Sequence, residues 1–299
     1  MHFKQILVQF FQLLLLLILL LSPSQLPAQT PPGSDIFLIP LNTDGKSLTF
    51  GEPRNITARP GYDNQPAFTP DGGGVLYVSI REDGQADIYR YDITSGKTMQ
   101  VTATAESEYS PTIMPGGAYF SCVRVEGDGT QRLWRFDLSG QHPKVLLEEV
   151  TGVGYHGWGD ETTVGMFIVG DPHWFCLADI ASGRADSLAA QVGRSIHLIP
   201  GRRALSFPQQ SGENQWQIMQ LNLDTREVTP LAQALPGSQD YVWTPEGAIL
   251  MAQENRLYRW TEVGKQWELL QEFAQENMAA LFRLALSPDR HYLSVVAGE

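Results

Sequence analysis

The chain has 299 residues, of which 42% are hydrophobic and 18% are charged, and its formal net charge at pH 7 is −12. This acidic balance argues against a nucleic-acid partner, whose phosphates would be repelled, and leaves a cationic partner or a neutral ligand open. A chain of this length can bury a large core without disulfide staples. The two cysteines, Cys122 and Cys176, lie in strand-like segments, and the sequence leaves open whether they pair.

The N-terminal segment has the pattern of a secretory signal peptide. Lys4 precedes an unbroken apolar run at 13–21, and the small residue Ala28 follows it. We predict a signal peptide over residues 1–28, followed by a short linker at 29–33. The apolar run is shorter than the roughly 20 residues that a membrane-spanning helix needs, so no stable span is expected after cleavage. No cysteine lies near the cleavage point, and the predicted location is periplasmic or secreted, without a lipid anchor.

A proline-containing turn motif recurs along the rest of the chain. It reads Thr69-Pro70-Asp71-Gly72, Met114-Pro115-Gly116-Gly117, Ile199-Pro200-Gly201-Arg202, Thr244-Pro245-Glu246-Gly247 and Ser287-Pro288-Asp289-Arg290. Successive prolines are 45, 85, 45 and 43 residues apart, and the longest gap contains a degenerate copy at Gly159-Asp160-Glu161. Proline suits the second position of a type I turn and glycine the fourth, so each motif predicts a hairpin connection.

A short aromatic and β-branched run recurs with the same period. Its copies are Asp35-Ile36-Phe37-Leu38-Ile39-Pro40, Asp87-Ile88-Tyr89-Arg90-Tyr91-Asp92, Arg132-Leu133-Trp134-Arg135-Phe136-Asp137, Trp174-Phe175-Cys176-Leu177-Ala178-Asp179, Gln217-Ile218-Met219-Gln220-Leu221-Asn222 and Arg256-Leu257-Tyr258-Arg259-Trp260-Thr261. This composition favours strands. With one strand on each side of the proline turn and one after the aromatic run, each period of roughly 43 residues predicts a four-stranded propeller blade.

The repeats predict an all-β protein with a six-bladed β-propeller of four-stranded antiparallel blades at 34–299. The first half-repeat, at Asp35, corresponds to the second half of a blade, and the last, ending at Ala297, corresponds to the first half of a blade. The ring is therefore expected to close through a composite blade built from both termini. Such closure removes the open sheet edges of a linear array. The predicted blades are about 61–104, 105–150, 151–192, 193–235, 236–275, and 276–299 together with 34–60.

The segment from Asp63 to Gly72, followed by a strand and then Asp87-Ile88-Tyr89, closely resembles the WD40-like repeat of the TolB type. The resemblance covers 34–299 and is weakest in the middle, where Asp160, Gly201 and Arg202 depart from the pattern. It implies a propeller in the cell envelope. A stand-alone propeller is expected, without the N-terminal domain of TolB or the hydrolase domain of the related serine oligopeptidases.

Alignment on the turn prolines reveals columns of equivalent residues. The residue two before each proline is large and apolar, which predicts core packing: Phe68, Ile113, Trp158, Leu198, Trp243 and Leu286. The residue five before is polar or amphipathic: Gln65, Ser110, Tyr155, Ser195, Asp240 and Arg283. The first strand of a blade lines the central channel, so these residues are expected to form a ring at one channel mouth.

We predict a ligand- or partner-binding site at this mouth, because loops and strand ends on a rigid scaffold often carry binding. Its predicted residues are Tyr62, Asn64, Gln65, Tyr109, Tyr155, His156, Arg194, Gln239, Asp240, Tyr241 and Arg283. A solvated channel mouth without a ligand is the alternative. Asp240 and Arg283 occupy equivalent places in adjacent repeats, and either an ion pair between them or an ordinary rim contact fits this position.

No assembled catalytic set is apparent, and we predict no catalytic residues, no bound metal and no cofactor. The GxGxxG pattern at 152–157 lacks the βαβ context of a dinucleotide site, and no GxSxG, HExxH or CxxC motif occurs. The oligogalacturonate lyases that this repeat type resembles hold a metal with several histidines and a glutamine. His156 and His197, with Gln65 or Gln239, fall short of such a set. The sequon Asn55-Ile56-Thr57 is interpreted as strand.

The leading hypothesis is an exported non-catalytic binding or scaffold propeller that recognises a protein segment or a glycan at the channel mouth. The expected partner is an envelope protein or glycan of unknown identity, with no nucleic acid, and the protein is expected to be a monomer. The alternative hypothesis is a metal-dependent polysaccharide lyase or hydrolase with its site in the central channel.

Overall fold

The computed structural model describes residues 31–43 and 48–298. The chain divides after Pro31, and the second unit, Pro32–Glu299, is the one described below. The predicted signal peptide at 1–28 lies outside the described residues. Among the described residues, no helix is long and apolar enough to cross a membrane.

The described residues form strands and one short 3₁₀ turn, Glu276–Met278. The strands are β1 Ser34–Thr43, β2 Leu48–Phe50, β3 Arg54–Asn55, β4 Tyr62–Phe68, β5 Gly74–Ile80, β6 Ala86–Asp92, β7 Thr98–Gln100, β8 Ser107–Ile113, β9 Tyr119–Val125, β10 Gln131–Asp137, β11 Lys144–Val145, β12 Val153–Trp158, β13 Thr163–Ile168, β14 Trp174–Asp179, β15 Arg184–Ala190, β16 His197–Leu198, β17 Ala204–Gly212, β18 Gln215–Asn222, β19 Val228–Gln233, β20 Tyr241–Trp243, β21 Ile249–Gln253, β22 Arg256–Trp260, β23 Trp267–Glu272, β24 Leu281–Leu286 and β25 Tyr292–Gly298.

Four antiparallel sheets of four strands each form the propeller blades: β8–β11, β12–β15, β16–β19 and β20–β23. The other nine strands form one continuous sheet, in which the path β24-β25-β1-β4-β5-β6-β7 is joined by β2 and β3 on β1. The prediction of six four-stranded blades closed by a composite blade is therefore wrong: the structure has four four-stranded blades in its ring.

A parallel bridge between Ser34 and Tyr62 explains this difference from the prediction, because it makes one sheet of strands that the repeats assigned to two blades. Ser34 N–H donates to the carbonyl of Gly61 at 2.9 Å, and the Ser34 hydroxyl donates to the carbonyl of Asp63 at 3.0 Å. Asn64 Nδ2 in turn donates to the Ser34 hydroxyl at 3.1 Å. A single buried serine thus ties the start of β1 to the start of β4.

The predicted proline turns are confirmed. In each one, the N–H of the fourth residue donates to the carbonyl of the first: Gly72 to Thr69, Gly117 to Met114, Arg202 to Ile199, Gly247 to Thr244 and Arg290 to Ser287, at 2.9–3.1 Å. Gly72, Gly117 and Gly247 have φ between +70° and +84°, the left-handed region that glycine enters without steric cost. Each turn closes a hairpin whose first strand reaches the central channel.

The core lies between adjacent sheets, and the second strand of each sheet is central to it. In β5, every residue from Gly74 to Ile80 is buried, because sheets cover both of its faces. Half of the column two before the turn prolines is buried, with Phe68, Trp158 and Trp243 between 6% and 8% exposed, and Ile113 and Leu286 are partly buried. Leu198 is an exception: it is 44% exposed, and the neighbouring Ile199 occupies the core instead.

The cysteines and the sequon have structural surroundings that the sequence left open. Cys122 and Cys176 are both free and buried, in different core clusters. Asn55 Nδ2 donates to the Asp35 carboxylate at 2.7 Å, and Asn55 Oδ1 accepts hydrogen bonds from Thr57 N–H and Ala58 N–H at 3.1 and 2.8 Å. This asparagine therefore ends strand β3 as an Asx turn, so the interpretation of the sequon as strand holds for Asn55 alone, and Ile56 and Thr57 follow in a bend.

Replacement of Leu293 by alanine is expected to destabilise the protein strongly. Leu293 is fully buried on β25, in one cluster with Phe37 and Ile39 of β1. A cavity at such a site costs about 2–5 kcal/mol, which lowers the melting temperature by roughly 5–15 °C in a domain of this size. Leu269→Ala, at a position that is 50% exposed, is the matched control, with a change of about 0.5 kcal/mol or less. Equal melting temperatures of the two variants would contradict this core assignment.

Candidate functional site

The strands that reach the channel mouth do so through irregular backbone. β4, β8 and β24 each shift register against their partner strands, and Gln65, Ser110 and Arg283 lie inside these shifts. Their φ values are +58°, +55° and +37°, a region that side chains other than glycine rarely adopt. A β-bulge leaves one residue unpaired and redirects its side chain. These bulges therefore free polar side chains from the sheets at equivalent positions.

These side chains converge on one cavity of about 120 Å³ at the channel mouth, which we call the mouth cavity. It is lined by Gln65, Pro66, Ser110, Pro111, Thr112, Tyr155, His156, Arg194, Ser195, Ile196, His197, Asp240, Tyr241, Arg283 and Leu284. All members of the column five before the turn prolines are in this lining. Residues from β4, β8, β12, β16, β20 and β24, or just before these strands, thus meet at a single place.

The main ionic contact in the cavity joins Arg194 and Asp240. Arg194 donates through Nε to Asp240 Oδ1 at 2.9 Å and through Nη2 to Oδ2, in a bidentate geometry. The Ser195 hydroxyl also donates to Asp240 Oδ1, at 3.3 Å. Asp240 is 7% exposed. Burial alone would raise its pKa, but the hydrogen bonds and charge of Arg194 outweigh burial, so the pKa of Asp240 is lowered and the carboxylate is ionised at neutral pH.

Arg283 has a different partner from the one that the sequence suggested. An ion pair between Asp240 and Arg283 is not formed, because Arg194 occupies both oxygens of Asp240. Arg283 Nη2 instead donates to the Tyr155 hydroxyl at 2.8 Å, and its guanidinium carbon lies 5.0 Å from the centre of the Tyr155 ring. Arg283 Nε is buried and has no hydrogen-bond partner among the described residues.

Buried serines anchor two further side chains of the cavity wall. The Ser121 hydroxyl lies 2.6 Å from His156 Nε2 and accepts a hydrogen bond from Trp158 Nε1 at 2.9 Å. At the corresponding place in a later repeat, the Ser206 hydroxyl accepts hydrogen bonds from Tyr241 Oη and Trp243 Nε1, both at 2.8 Å.

The histidines of the wall are neutral at physiological pH. Burial lowers the pKa of His156 to about 3 and that of His197 to about 4. The ring centres of His197 and Tyr241 are 5.0 Å apart, in an edge-to-face arrangement. His156 Nδ1 is buried without a hydrogen-bond partner among the described residues. The charged side chains of the wall are therefore Arg194, Arg283 and Asp240, with a net charge of +1 inside a strongly acidic chain.

Several predicted site residues lie beside the cavity rather than in its wall. Burial raises the pKa of Tyr62 to about 12, and the positive charges of Arg283 and Arg194 partly oppose this increase. Gln65 Nε2 donates a hydrogen bond to the Tyr62 hydroxyl at 3.4 Å. The hydroxyl groups of Tyr109 and Tyr155 are close enough to interact electrostatically. Asn64 is 4% exposed and bonds to Ser34, so its role is structural.

Gln239 belongs mainly to an adjacent groove of about 430 Å³. Its Oε1 accepts a hydrogen bond from Arg194 N–H at 3.2 Å. The groove is lined by Arg194, Pro236, Gly237, Ser238, Gln239, Asp240, Ala252, Gln253, Glu254, Ala279, Ala280, Leu281 and Phe282. Arg194 and Asp240 border both the groove and the mouth cavity, so the two are contiguous. We call this groove the side groove.

The predicted set omitted residues that the column pattern contained. Ser110 and Ser195 line the cavity and stand in the same column as Gln65 and Asp240, so the column itself would have identified them. His197 also lines the cavity. Thr112 also lines the cavity, but it lies two residues after the column member Ser110 on β8, so the repeat pattern does not identify it.

The donor set of the cavity does not match a metal centre. Among the described residues, no group of three or more His, Cys, Asp and Glu side chains could hold a metal ion. His156 and His197 are the nearest candidates, but the Asp240 carboxylate that would have to join them is bound on both oxygens by Arg194. The arrangement is suited to hydrogen bonding and charge recognition.

Comparison with solved structures shows a TolB-like propeller fold. A putative TolB from Agrobacterium tumefaciens matches with a TM-score of 0.69 and 18% identity, over 90% of this chain and 99% of that chain. TolB from Acinetobacter baumannii matches with a TM-score of 0.55 and 16% identity, over 89% of this chain and 64% of that chain. An oligogalacturonate lyase in complex with manganese matches with a TM-score of 0.57 and 14% identity, over 83% of this chain and 80% of that chain.

At these identities, the likeness shows the fold alone. No family model matches the chain, and no curated protein matches it either. The fold is shared by TolB proteins and an oligogalacturonate lyase, so function has to be argued from the site itself.

His156 is expected to make the protein less stable as the pH falls. The folded state keeps this ring neutral, whereas the unfolded chain binds a proton near pH 6.5. The unfolded state therefore gains protons, and the free energy of unfolding falls by about 2 kcal/mol between pH 7 and pH 5 from this group. In His156→Gln, the pH-dependent loss measured by urea denaturation should be smaller by that amount.

Leu269→Ala is the control for this pH experiment. Leu269 is 50% exposed and has no titratable side chain, so this variant should lose as much stability as the wild type between pH 7 and pH 5. Parallel pH profiles of His156→Gln and the wild type would show that the buried His156 ring does not carry the effect.

Proposed function

We propose that this protein is an exported, non-catalytic binding propeller of the TolB type that recognises a protein segment or a glycan at its channel mouth. The observation that carries the proposal is the mouth cavity, where polar side chains from successive sheets converge through strained, bulged backbone. Strained backbone conformations cluster at binding and catalytic sites, because the surrounding structure holds them in place.

The chemistry of the cavity wall favours binding over catalysis. The neutral histidines, the ion-paired Asp240 and the tyrosines offer hydrogen-bond donors, acceptors and ring faces. The Ser121 hydroxyl bonds to His156 and the Ser206 hydroxyl to Tyr241, but both serines are fully buried, so neither hydroxyl can reach a substrate in the cavity.

The proposed partner is an envelope protein or a glycan, met after export to the periplasm or the exterior, with the protein acting as a monomer. The predicted signal peptide and the TolB-like fold support this location. The acidic net charge of the chain remains an argument against nucleic acid.

A metal-dependent polysaccharide lyase or hydrolase is the alternative, favoured by the likeness to an oligogalacturonate lyase in complex with manganese. It requires a ligand set that the described residues do not supply as a group. Elemental analysis of the purified protein, after incubation with manganese and desalting, separates the two: one equivalent of retained metal would replace the binding proposal by this alternative. We expect no stoichiometric manganese.

Replacement of Gln65 and Tyr155 together by alanine should reduce ligand binding at least tenfold. Both side chains line the mouth cavity, and their removal deletes hydrogen-bonding groups from the wall without uncovering a buried charge pair. The measurement is binding of the labelled protein to arrays of envelope-derived peptides and glycans, followed by titration of each hit.

The matched control replaces Gln271 and Tyr258 by alanine, the same residue types on outer strands β23 and β22. Neither residue lines the mouth cavity. The control variant should bind as the wild type does. Hits that survive in the Gln65/Tyr155 variant, or that disappear equally in both variants, would place recognition elsewhere on the protein.

A further inference from the structure

We propose that the mouth cavity is a carboxylate site, in which Arg283 and Tyr155 hold a carboxylate of a bound polypeptide while the side groove holds the adjoining chain. This inference rests on the proposed function and assigns the chemistry of its ligand. The acidic net charge of the whole chain favoured a cationic or neutral partner. The mouth cavity, with a net charge of +1, would instead bind an anionic group.

The first argument is the unmatched charge of Arg283. No carboxylate of a described residue lies within ion-pair distance of its guanidinium. Among the described residues, its hydrogen-bond partner is the neutral Tyr155 hydroxyl. A partly buried cation without a paired counter-charge is costly, so an anionic ligand would stabilise it. The planar guanidinium matches the two oxygens of a carboxylate.

The second argument is that no carboxylate of a described residue pairs directly with Arg283, although the charges of Arg283 and Asp240 act on each other through space. Asp240 is the acidic member of the cavity wall, and Arg194 binds both of its oxygens. Glu254 borders the side groove rather than the mouth cavity. The cavity consequently has a net charge of +1 from two arginines and one aspartate, and a singly charged anion would neutralise it.

The third argument is size, which favours a polypeptide over an acidic glycan. The mouth cavity, at about 120 Å³, has room for about four water molecules. A carboxylate with its neighbouring methylene fits this space. In a uronic acid the carboxylate is bonded directly to the bulky ring, which has to follow it into the opening. An acidic side chain or a chain terminus can therefore enter alone and leave the backbone outside.

The side groove offers a place for that backbone. It is contiguous with the mouth cavity through Arg194 and Asp240. Small residues, among them Gly237, Ala279 and Ala280, line part of it, and its volume of about 430 Å³ leaves room for a short extended segment.

The test titrates the full-length mature protein at 25 °C with small probes, followed by NMR chemical shifts. The probes are acetate, N-acetyl-aspartate N-methylamide, N-acetyl-alanine with a free carboxylate, and the neutral N-acetyl-asparagine N-methylamide. We expect saturable binding of the three carboxylates and none of the neutral analogue. Tighter binding of the aspartate probe assigns an acidic side chain, and tighter binding of the alanine probe assigns a C-terminal carboxylate.

Variants locate the site. Arg283→Gln should weaken carboxylate binding at least tenfold, and Tyr155→Phe, which keeps the ring, should weaken it severalfold. Arg202→Gln is the matched control, because Arg202 is an exposed arginine already paired with Glu262, and it should leave binding unchanged. Amide spectra of each variant verify that it is folded, and Tyr155→Phe carries the test alone if Arg283→Gln does not fold.

Four outcomes would overturn the inference. They are failure of all carboxylates to bind the wild type, equal binding of inorganic phosphate, tighter binding of galacturonate than of the aspartate probe, and undiminished binding in both Arg283→Gln and Tyr155→Phe. Array hits that depend on Gln65 and Tyr155 but lack carboxylates would leave the proposed function intact while removing this inference. An absence of any array hit would remove the proposed function as well.

Discussion

The pairing of β1 with β25 is the constraint on which the rest of the structure depends. Seven consecutive residue pairs join Ser34–Pro40 to Tyr292–Gly298 and bring the two ends of the propeller unit together. β24, which carries Arg283, pairs with β25 and is held beside β4 through this arrangement. Because closing a long loop costs only slightly more entropy than closing a short one, this long-range contact is compatible with stability. This pairing therefore helps to bring Arg283 to the mouth cavity.

The mouth cavity shows how a local charge can oppose the charge of the whole chain. The Arg194–Asp240 pair is neutral as a unit and largely buried, and its hydrogen bonds offset the desolvation of both groups. Arg283 remains as an excess cation, facing the Tyr155 ring. A formal net charge of −12 therefore coexists with a mouth cavity whose three charged side chains, Arg194, Arg283 and Asp240, have a net charge of +1.

Part of this site could be predicted from the repeat alone. The column five before each turn proline predicted a shared ring, and every member of the column lines the cavity. Which of these residues interact could not be predicted in the same way. Asp240 and Arg283 occupy adjacent places in this column, yet Asp240 is bound by Arg194. Arg194 lies one residue before the column member Ser195, and from there its guanidinium reaches both carboxylate oxygens of Asp240. Similarly, Asn64 was expected at the mouth and is buried against Ser34.

The sequence by itself determined the strands, the proline turns and the all-β class, because turn chemistry and strand composition are local properties that repeat along the chain. It did not determine how the strands combine into sheets. Ser34, before the first aromatic run, joins two expected blades into one nine-stranded sheet through contacts with Tyr62 and Asp63. The ionisation of His156 and the unmatched cation of Arg283 were also decided only by the tertiary structure, since burial and partner choice arise when distant strands meet.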